Sequence, residues 1–243
     1  LSANVKNLAD AFDNNIYPLE TSIFGAEPNI DGDQRVAVLI SPVLNNPNSA
    51  KNDDLVEGFV DTRDLLPYTP TNKGSNEQEV IYVHAPDPCG WYNTNRVRDV
   101  LSYIQVVLPS QLAFHFEKLI SFNNHVLINK STVEDTWIDD GLGLFAVDEA
   151  GFGGLFYREI KIWFADVTFD NLASLKNERS FKVENYNPQK YLFMRYLADR
   201  FGTPIFKDLF TKKTGVANIE GAISSIMPGL KFDDLFRDFA ITL

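Results

Sequence analysis

Hydrophobic positions near the start of the chain recur at helical spacing. Val5, Leu8, Ala9 and Phe12 predict a helix over residues 4–14, after which Pro18 breaks the pattern. Two compact apolar runs, residues 36–41 and 79–85, are bounded by Asp, Gly or Pro and are typical of buried strands. The stretch between them, residues 44–75, is rich in Asn, Asp, Pro and Gly and predicts a mostly irregular excursion.

The pattern changes in the second half, where apolar residues follow a helical period almost throughout. A helix is predicted over residues 95–108, Pro109 interrupts it, and a second helix resumes over residues 110–122 with Pro109 and Ser110 at its start. Further helices are predicted over residues 136–149, 155–165, 188–201, 204–211, 219–226 and 232–241. The fold class is therefore α+β in a single domain, residues 1–243, with a strand-containing N-terminal part (1–92) and a mainly helical part (93–243).

Composition and charge exclude several classes of function. The 243 residues carry 22 basic and 33 acidic side chains, a net charge of −11, which argues against nucleic acid as a partner because phosphate binding needs a positive field. No apolar run in the sequence is long enough to span a bilayer. An apolar content of 44% is enough to form a sizeable core. Nothing in the pattern predicts an oligomeric state.

Two segments carry candidate chemistry. Residues 109–122 read PSQLAFHFEKLISF, and residues 134–148 begin EDTWIDDGL and end FAVD. Together they resemble the zinc-binding region of the hyicolysin-like bacterial metallopeptidases, gluzincins with a zincin fold, in which a helix like LAHEFQHLINF is followed by EDTWLNEGL. Shorter pieces at residues 16–25, 31–36, 58–65, 75–80 and 191–202 also resemble this family, so the resemblance covers nearly the whole chain.

In such enzymes two histidines at i and i+4 chelate zinc, the glutamate between them activates a metal-bound water, and a downstream glutamate is the third ligand. In this sequence the two histidine positions hold Phe114 and Lys118. The position of the glutamate between them holds His115, and the position of the third ligand holds Asp140. Tyr186 lies where related gluzincins place an oxyanion-stabilising tyrosine. The resemblance therefore implies a degenerate member with these five vestigial positions and with no catalytic residue, metal or cofactor.

The function expected from this resemblance is that of a pseudopeptidase which binds a protein or peptide in the former substrate cleft. Two alternatives stay open: an active hydrolase of altered chemistry, with His115 as a base or a metal recruited by His84, His115 or His125, and a structural envelope domain without a ligand. The chain begins with Leu1 and shows no leader, so we expect targeting information upstream and a secreted or cell-envelope location. The single cysteine, Cys89, precludes an internal disulfide and is interpreted as an ordinary thiol.

Losing the metal would leave Asp140 facing a space that once held positive charge. Burying that carboxylate unpaired would be costly. We therefore predict that the ammonium group of Lys118 pairs with Asp140 or Asp139, while the ring of Phe114 fills the remaining space. The alternative is that Lys118 extends into solvent, as lysines usually do.

Overall fold

The computed structural model describes residues 3–44, 56–89, 100–165, 188–211 and 213–243. Its described part is mixed α and β, with many helices around one small sheet, in agreement with the predicted α+β class. The α-helices are α1 Ala3–Ala11, α2 Tyr17–Phe24, α3 Val100–Ser102, α4 Leu108–Phe122, α5 Thr136–Glu149, α6 Tyr157–Ala165, α7 Pro188–Phe201, α8 Ile205–Asp208, α9 Val216–Ile223 and α10 Phe232–Thr242. None of the helices in these ranges is long and apolar enough to cross a membrane.

The sheet has three strands in the order β1-β3-β2, namely β1 Ala37–Ser41, β2 Gly58–Val60 and β3 Val80–His84. β1 runs parallel to β3, and β2 runs antiparallel to it. The strands predicted at residues 36–41 and 79–85 are confirmed. β2, by contrast, lies within the stretch predicted to be irregular, because a three-residue strand that begins with glycine has almost no periodicity to detect.

Two prolines were expected to interrupt the helical pattern, which is wrong, although the predicted position of Pro109 at the start of a helix is confirmed. Pro18 and Pro109 instead lie in the first turns of α2 and α4, and each follows a π-helical segment, Phe12–Ile16 or Tyr103–Val107, that continues from the preceding helix. A proline lacks the N–H that would extend the helical ladder, and the wider π turn shifts the hydrogen-bond register at the point where that donor is missing. The helical stretches therefore run through both prolines.

Helix α4 is the centre of the fold. It packs against α2, α5 and the strands β2 and β3, and all of its 15 residues are buried except Lys118, which is partly buried. Helix α5 lies against both α4 and α7. A helix that is buried on nearly every side has such neighbours all round. This arrangement places α4, α5, α7 and β2 around one region.

Candidate functional site

The sequence-predicted positions on α4 and α5 meet in this region. Residues 114 and 118 lie one turn apart on the same side of α4, since residues four apart on a helix are neighbours. Asp140 lies near the start of α5, which begins at Thr136. The structure thus brings Phe114, Lys118 and Asp140 together, while Tyr186 lies outside the described residues.

Lys118 forms ion pairs with two neighbouring aspartates of α5. Its Nζ lies 2.6 Å from Oδ2 of Asp139 and 3.1 Å from Oδ1 of Asp140. Only 14% of the Lys118 side chain is exposed, compared with 24% for Asp139 and 11% for Asp140. The predicted pairing of Lys118 with Asp140 or Asp139 is confirmed: the lysine contacts both aspartates, and the contacts are largely shielded from water.

A second lysine, which the sequence did not predict, completes the cluster. Lys190 on α7 places its Nζ 2.9 Å from Oδ2 of Asp140, so each oxygen of that carboxylate accepts from a different ammonium group. The Ser121 hydroxyl donates to Oδ1 of Asp139 at 2.8 Å. Lys190 is 50 residues from Asp140 along the chain, and no local pattern connects the two. We call Lys118, Lys190, Asp139 and Asp140 the lysine–aspartate cluster.

Lys118 and Asp140 are held in their charged forms by the neighbouring charges of the cluster. Burial would raise the pKa of Asp140, but the charges of Lys118 and Lys190 hold that pKa below its usual value. Burial likewise lowers the pKa of Lys118, but Asp139 and Asp140 more than reverse the effect and raise it above its ordinary value. With two ammonium groups and two carboxylates, the cluster carries no net charge.

Phe114 fills the space beneath Lys118. Its ring is fully buried, and the Lys118 ammonium lies 4.7 Å from the ring centroid, within the range of a cation–π contact. Gly143 on α5 faces this ring, and a Cβ atom there would lie 2.8 Å from two ring carbons. The absence of a side chain at residue 143 therefore lets the ring of Phe114 fit between α4 and α5.

His115 faces the sheet and is held neutral. It is 2% exposed, and its Nε2 lies 3.2 Å from Oε1 of Gln111. The Nε2 of Gln111 in turn donates to Oε2 of Glu57 at 3.1 Å. Burial lowers the pKa of His115 to about 3, and the charge of Lys118 acts in the same direction. Gly58 of β2 leaves room for the ring, since a Cβ there would approach the His115 Cδ2 to 2.9 Å.

The other two histidines lie in separate surroundings. His125 has its Nδ1 3.0 Å from the carbonyl oxygen of Thr211 and its Nε2 3.6 Å from Oε2 of Glu134. His84 is fully buried beside Tyr103, whose hydroxyl lies 3.5 Å from the His84 Nδ1. Within the described ranges, no three His, Cys, Asp or Glu side chains lie close enough together to hold a metal ion.

The zinc ion that the family resemblance implies does not fit the residues at this place. Phe114 has no lone pair to donate, and the Nζ of Lys118 is protonated and engaged by two carboxylates. Both oxygens of Asp140, the remaining ligand position, already accept hydrogen bonds from ammonium groups. A zinc ion here would have to displace the cluster.

Two further carboxyl groups lie behind the cluster. Glu117 on α4 and Glu20 on α2 are fully buried, and within the described part of the chain none of their four carboxyl oxygens has a hydrogen-bond partner. Burial raises the pKa of both groups well above 4.5, and Glu117 raises that of Glu20 further. Both groups are therefore protonated under conditions in which an exposed glutamate is ionised.

A cleft of about 280 Å³ opens beside the cluster, between β2, α4 and the start of α5. Its walls combine apolar and polar side chains. The lining residues are Phe59, Val60, Thr62, His115, Lys118, Ser121, Phe122, Val133, Glu134, Thr136, Asp139 and Asp140. The cluster thus forms part of the wall of a cavity that can admit a ligand.

Comparison with known proteins gives one informative match and one negative result. The chain is 24% identical over 245 residues to a protein named neutral metalloprotease ShpI from Staphylococcus hyicus, an alignment that covers 98% of this chain. The chain spans about half of that relative's length, 52%. No protein-family model matches. The match supports a distant relationship between this chain and a metallopeptidase.

Proposed function

We propose that this chain is a catalytically inactive metallopeptidase homologue, a single zincin-like domain whose zinc-binding residues have been replaced. The observation that carries the proposal is the lysine–aspartate cluster at the positions where the resemblance implies metal ligands. Lys118 stands at a ligand position and binds Asp140, which stands at another, at 3.1 Å.

The charges of the cluster explain how such a replacement can be stable. In the implied metal site a divalent cation would be bound by two histidines and one carboxylate, whereas here the two ammonium groups of Lys118 and Lys190 supply two positive charges beside Asp140. Asp140 keeps a charged partner on each oxygen, at 3.1 and 2.9 Å. A buried carboxylate with such partners avoids the penalty of an unpaired charge.

An active hydrolase that uses His115 has less support. A general base is most effective when its pKa lies near the working pH, whereas that of His115 is lowered to about 3. Its Nε2 is also engaged with Gln111 at 3.2 Å. His115 is therefore poorly suited to act as a general base.

We further propose that the cleft binds a peptide. β2, at the edge of the described sheet, contributes Phe59 and Val60 to one wall. An extended peptide can add to an edge strand through main-chain hydrogen bonds while its side chains enter the cleft. A location outside the cell or in the cell envelope remains part of the proposal, and fractionation of the source cells with an antibody against the chain tests it.

A peptidase assay tests the absence of catalysis. Purified protein is incubated with casein and with a quenched fluorescent peptide library, with and without a chelator, and beside an Asp140→Ala variant. We expect no cleavage above background in any sample. Cleavage that the chelator stops and that Asp140→Ala abolishes would show an active metallopeptidase.

A further inference from the structure

The charged side chains that line the cleft differ in the fraction of their surface that is exposed to solvent. The Asp139 side chain is 24% exposed, Lys118 is 14% exposed and Asp140 is 11% exposed. Glu134 is 1% exposed, and its oxygens accept hydrogen bonds from Gly215 N at 2.6 Å and Asn218 Nδ2 at 2.5 Å. The charge that a ligand meets first is therefore the carboxylate of Asp139.

Asp139 is also the carboxylate of the lining whose charge is least offset. Among the described residues the lining holds the carboxyl groups of Glu134, Asp139 and Asp140 and the ammonium group of Lys118. Lys190 lies 2.9 Å from Asp140 and offsets its charge, and burial raises the pKa of Glu134 to about 7. The Lys118 ammonium is held between two carboxylates, at 2.6 and 3.1 Å, so its charge is already compensated. The chain as a whole carries a net charge of −11, which favours the approach of a cation over that of an anion.

Apolar side chains line the same cleft as this carboxylate. Phe59 and Val60 come from β2, Phe122 from the end of α4, and Val133 from the segment before α5. Val133 is 57% exposed, so its side chain is accessible to a ligand. The cleft thus offers an exposed negative group with hydrophobic surface beside it.

We propose that the cleft selects a peptide segment with a basic side chain, Arg or Lys, next to an apolar one. The basic group lies against Asp139, and the apolar side chain packs on Phe59, Phe122 and Val133. This inference rests on the proposed peptide-binding function and adds the chemistry of the ligand. An acidic side chain in the same place would face Asp139 and would have to compete with both aspartates for Lys118.

The test uses three blocked tetrapeptides, Ala-Phe-Arg-Ala, Ala-Phe-Gln-Ala and Ala-Phe-Glu-Ala. Binding to the full chain is followed by isothermal titration calorimetry and by chemical-shift changes of assigned cleft residues. We expect the Arg peptide to bind about tenfold or more tightly than the Gln peptide, since a hydrogen bond to a charged group contributes about that much. The Glu peptide is expected to bind most weakly.

Two pairs of variants locate the selectivity. Asp139→Asn should reduce the preference for Arg over Gln, whereas Asp13→Asn, which makes the same change of net charge at an exposed residue outside the cleft lining, should leave it unchanged. Since Asp139 also holds Lys118, a second pair avoids the cluster. Val133→Lys adds a positive charge at an exposed position and should reduce binding of the Arg peptide, whereas Val133→Gln should preserve the preference.

The outcomes separate the two proposals. Loss of the Arg preference in Asp139→Asn and Val133→Lys, but in neither control, supports the inference. Equal binding of all three peptides with shift changes in the cleft overturns the selectivity and leaves peptide binding in place. No binding by any of the peptides overturns the inference together with the proposed peptide-binding function.

Discussion

Replacing Lys118 by Met tests whether the lysine–aspartate cluster stabilises the fold. The substitution removes the charge but retains an unbranched side chain of similar length and good helix propensity. It leaves Asp139 and Asp140 without the ammonium group that lies 2.6 and 3.1 Å away. The decrease in the free energy of unfolding therefore measures the lost charge interaction rather than the cost of a cavity.

The size of the effect follows from burial. Removing one partner of a buried ion pair costs about 3–5 kcal/mol, whereas an exposed pair contributes less than about 1 kcal/mol. In this cluster Asp140 keeps Lys190 at 2.9 Å, and Asp139 keeps Ser121 at 2.8 Å and is 24% exposed. Since these partners offset part of the loss, we expect Lys118→Met to lower the free energy of unfolding by about 2–3 kcal/mol.

The chain provides a matched control in Lys6, which pairs with Asp10 at 2.5 Å on α1 with side chains 68% and 49% exposed. Lys6→Met makes the same chemical change at an exposed pair and should cost less than about 0.5 kcal/mol. Urea unfolding followed by circular dichroism gives both values, and equal slopes show that the unfolded states are comparable. If the two variants lose the same small amount, the cluster is not a buried, stabilising ion pair.

Three further predictions concern the cluster and the carboxyl groups behind it. The repair variant combines Phe114→His, His115→Glu, Lys118→His and Asp140→Glu. Calorimetry should show that this variant binds zinc more tightly when Lys190→Met is added, because the Lys190 ammonium otherwise remains beside residue 140 and repels the zinc ion. Equal zinc affinities with and without Lys190→Met would show that Lys190 does not oppose zinc binding. Since burial places the pKa of Glu20 and Glu117 above 4.5 in the folded state, their contribution to stability is complete below pH 4.5 and is lost as pH rises through the raised values. The urea concentration at the unfolding midpoint should therefore decrease as pH rises above 4.5. Glu117→Gln should flatten that profile, and an unchanged slope would contradict the assignment. Gly143→Ala should lower the melting temperature, because the added Cβ would lie 2.8 Å from the ring of Phe114, and a Phe114→Leu background should relieve the loss.

The sequence predicted those parts of the fold that depend on local pattern. Helices α5 and α7 were predicted with the bounds that the structure gives, Thr136–Glu149 and Pro188–Phe201, because apolar period and terminal residues agree there. Pro18 and Pro109 were misinterpreted because a π-helical segment has no recognised sequence signature. Strand β2 was missed because it has only three residues.

The candidate site, too, could be predicted only in part from the sequence. The contact between Lys118 and the aspartates was predictable for two reasons. The family resemblance places α4 beside the start of α5, and a buried carboxylate without a charged partner would be costly, so a nearby lysine is expected to pair with it. Lys190 was not predictable, because its partner lies 50 residues away and only tertiary packing brings α7 to α5. The buried pair of Glu20 and Glu117 likewise depends on how α2 packs against α4.

Zinc affinity tests the central claim most directly. Protein purified without chelator is examined for metal by elemental analysis, and zinc is then titrated into the chain and into Asp140→Ala by calorimetry. The replacement of the ligand positions by Phe114 and Lys118 predicts no stoichiometric zinc and no heat of binding that differs between the two proteins. One tightly bound zinc per chain that is lost in Asp140→Ala would contradict the account.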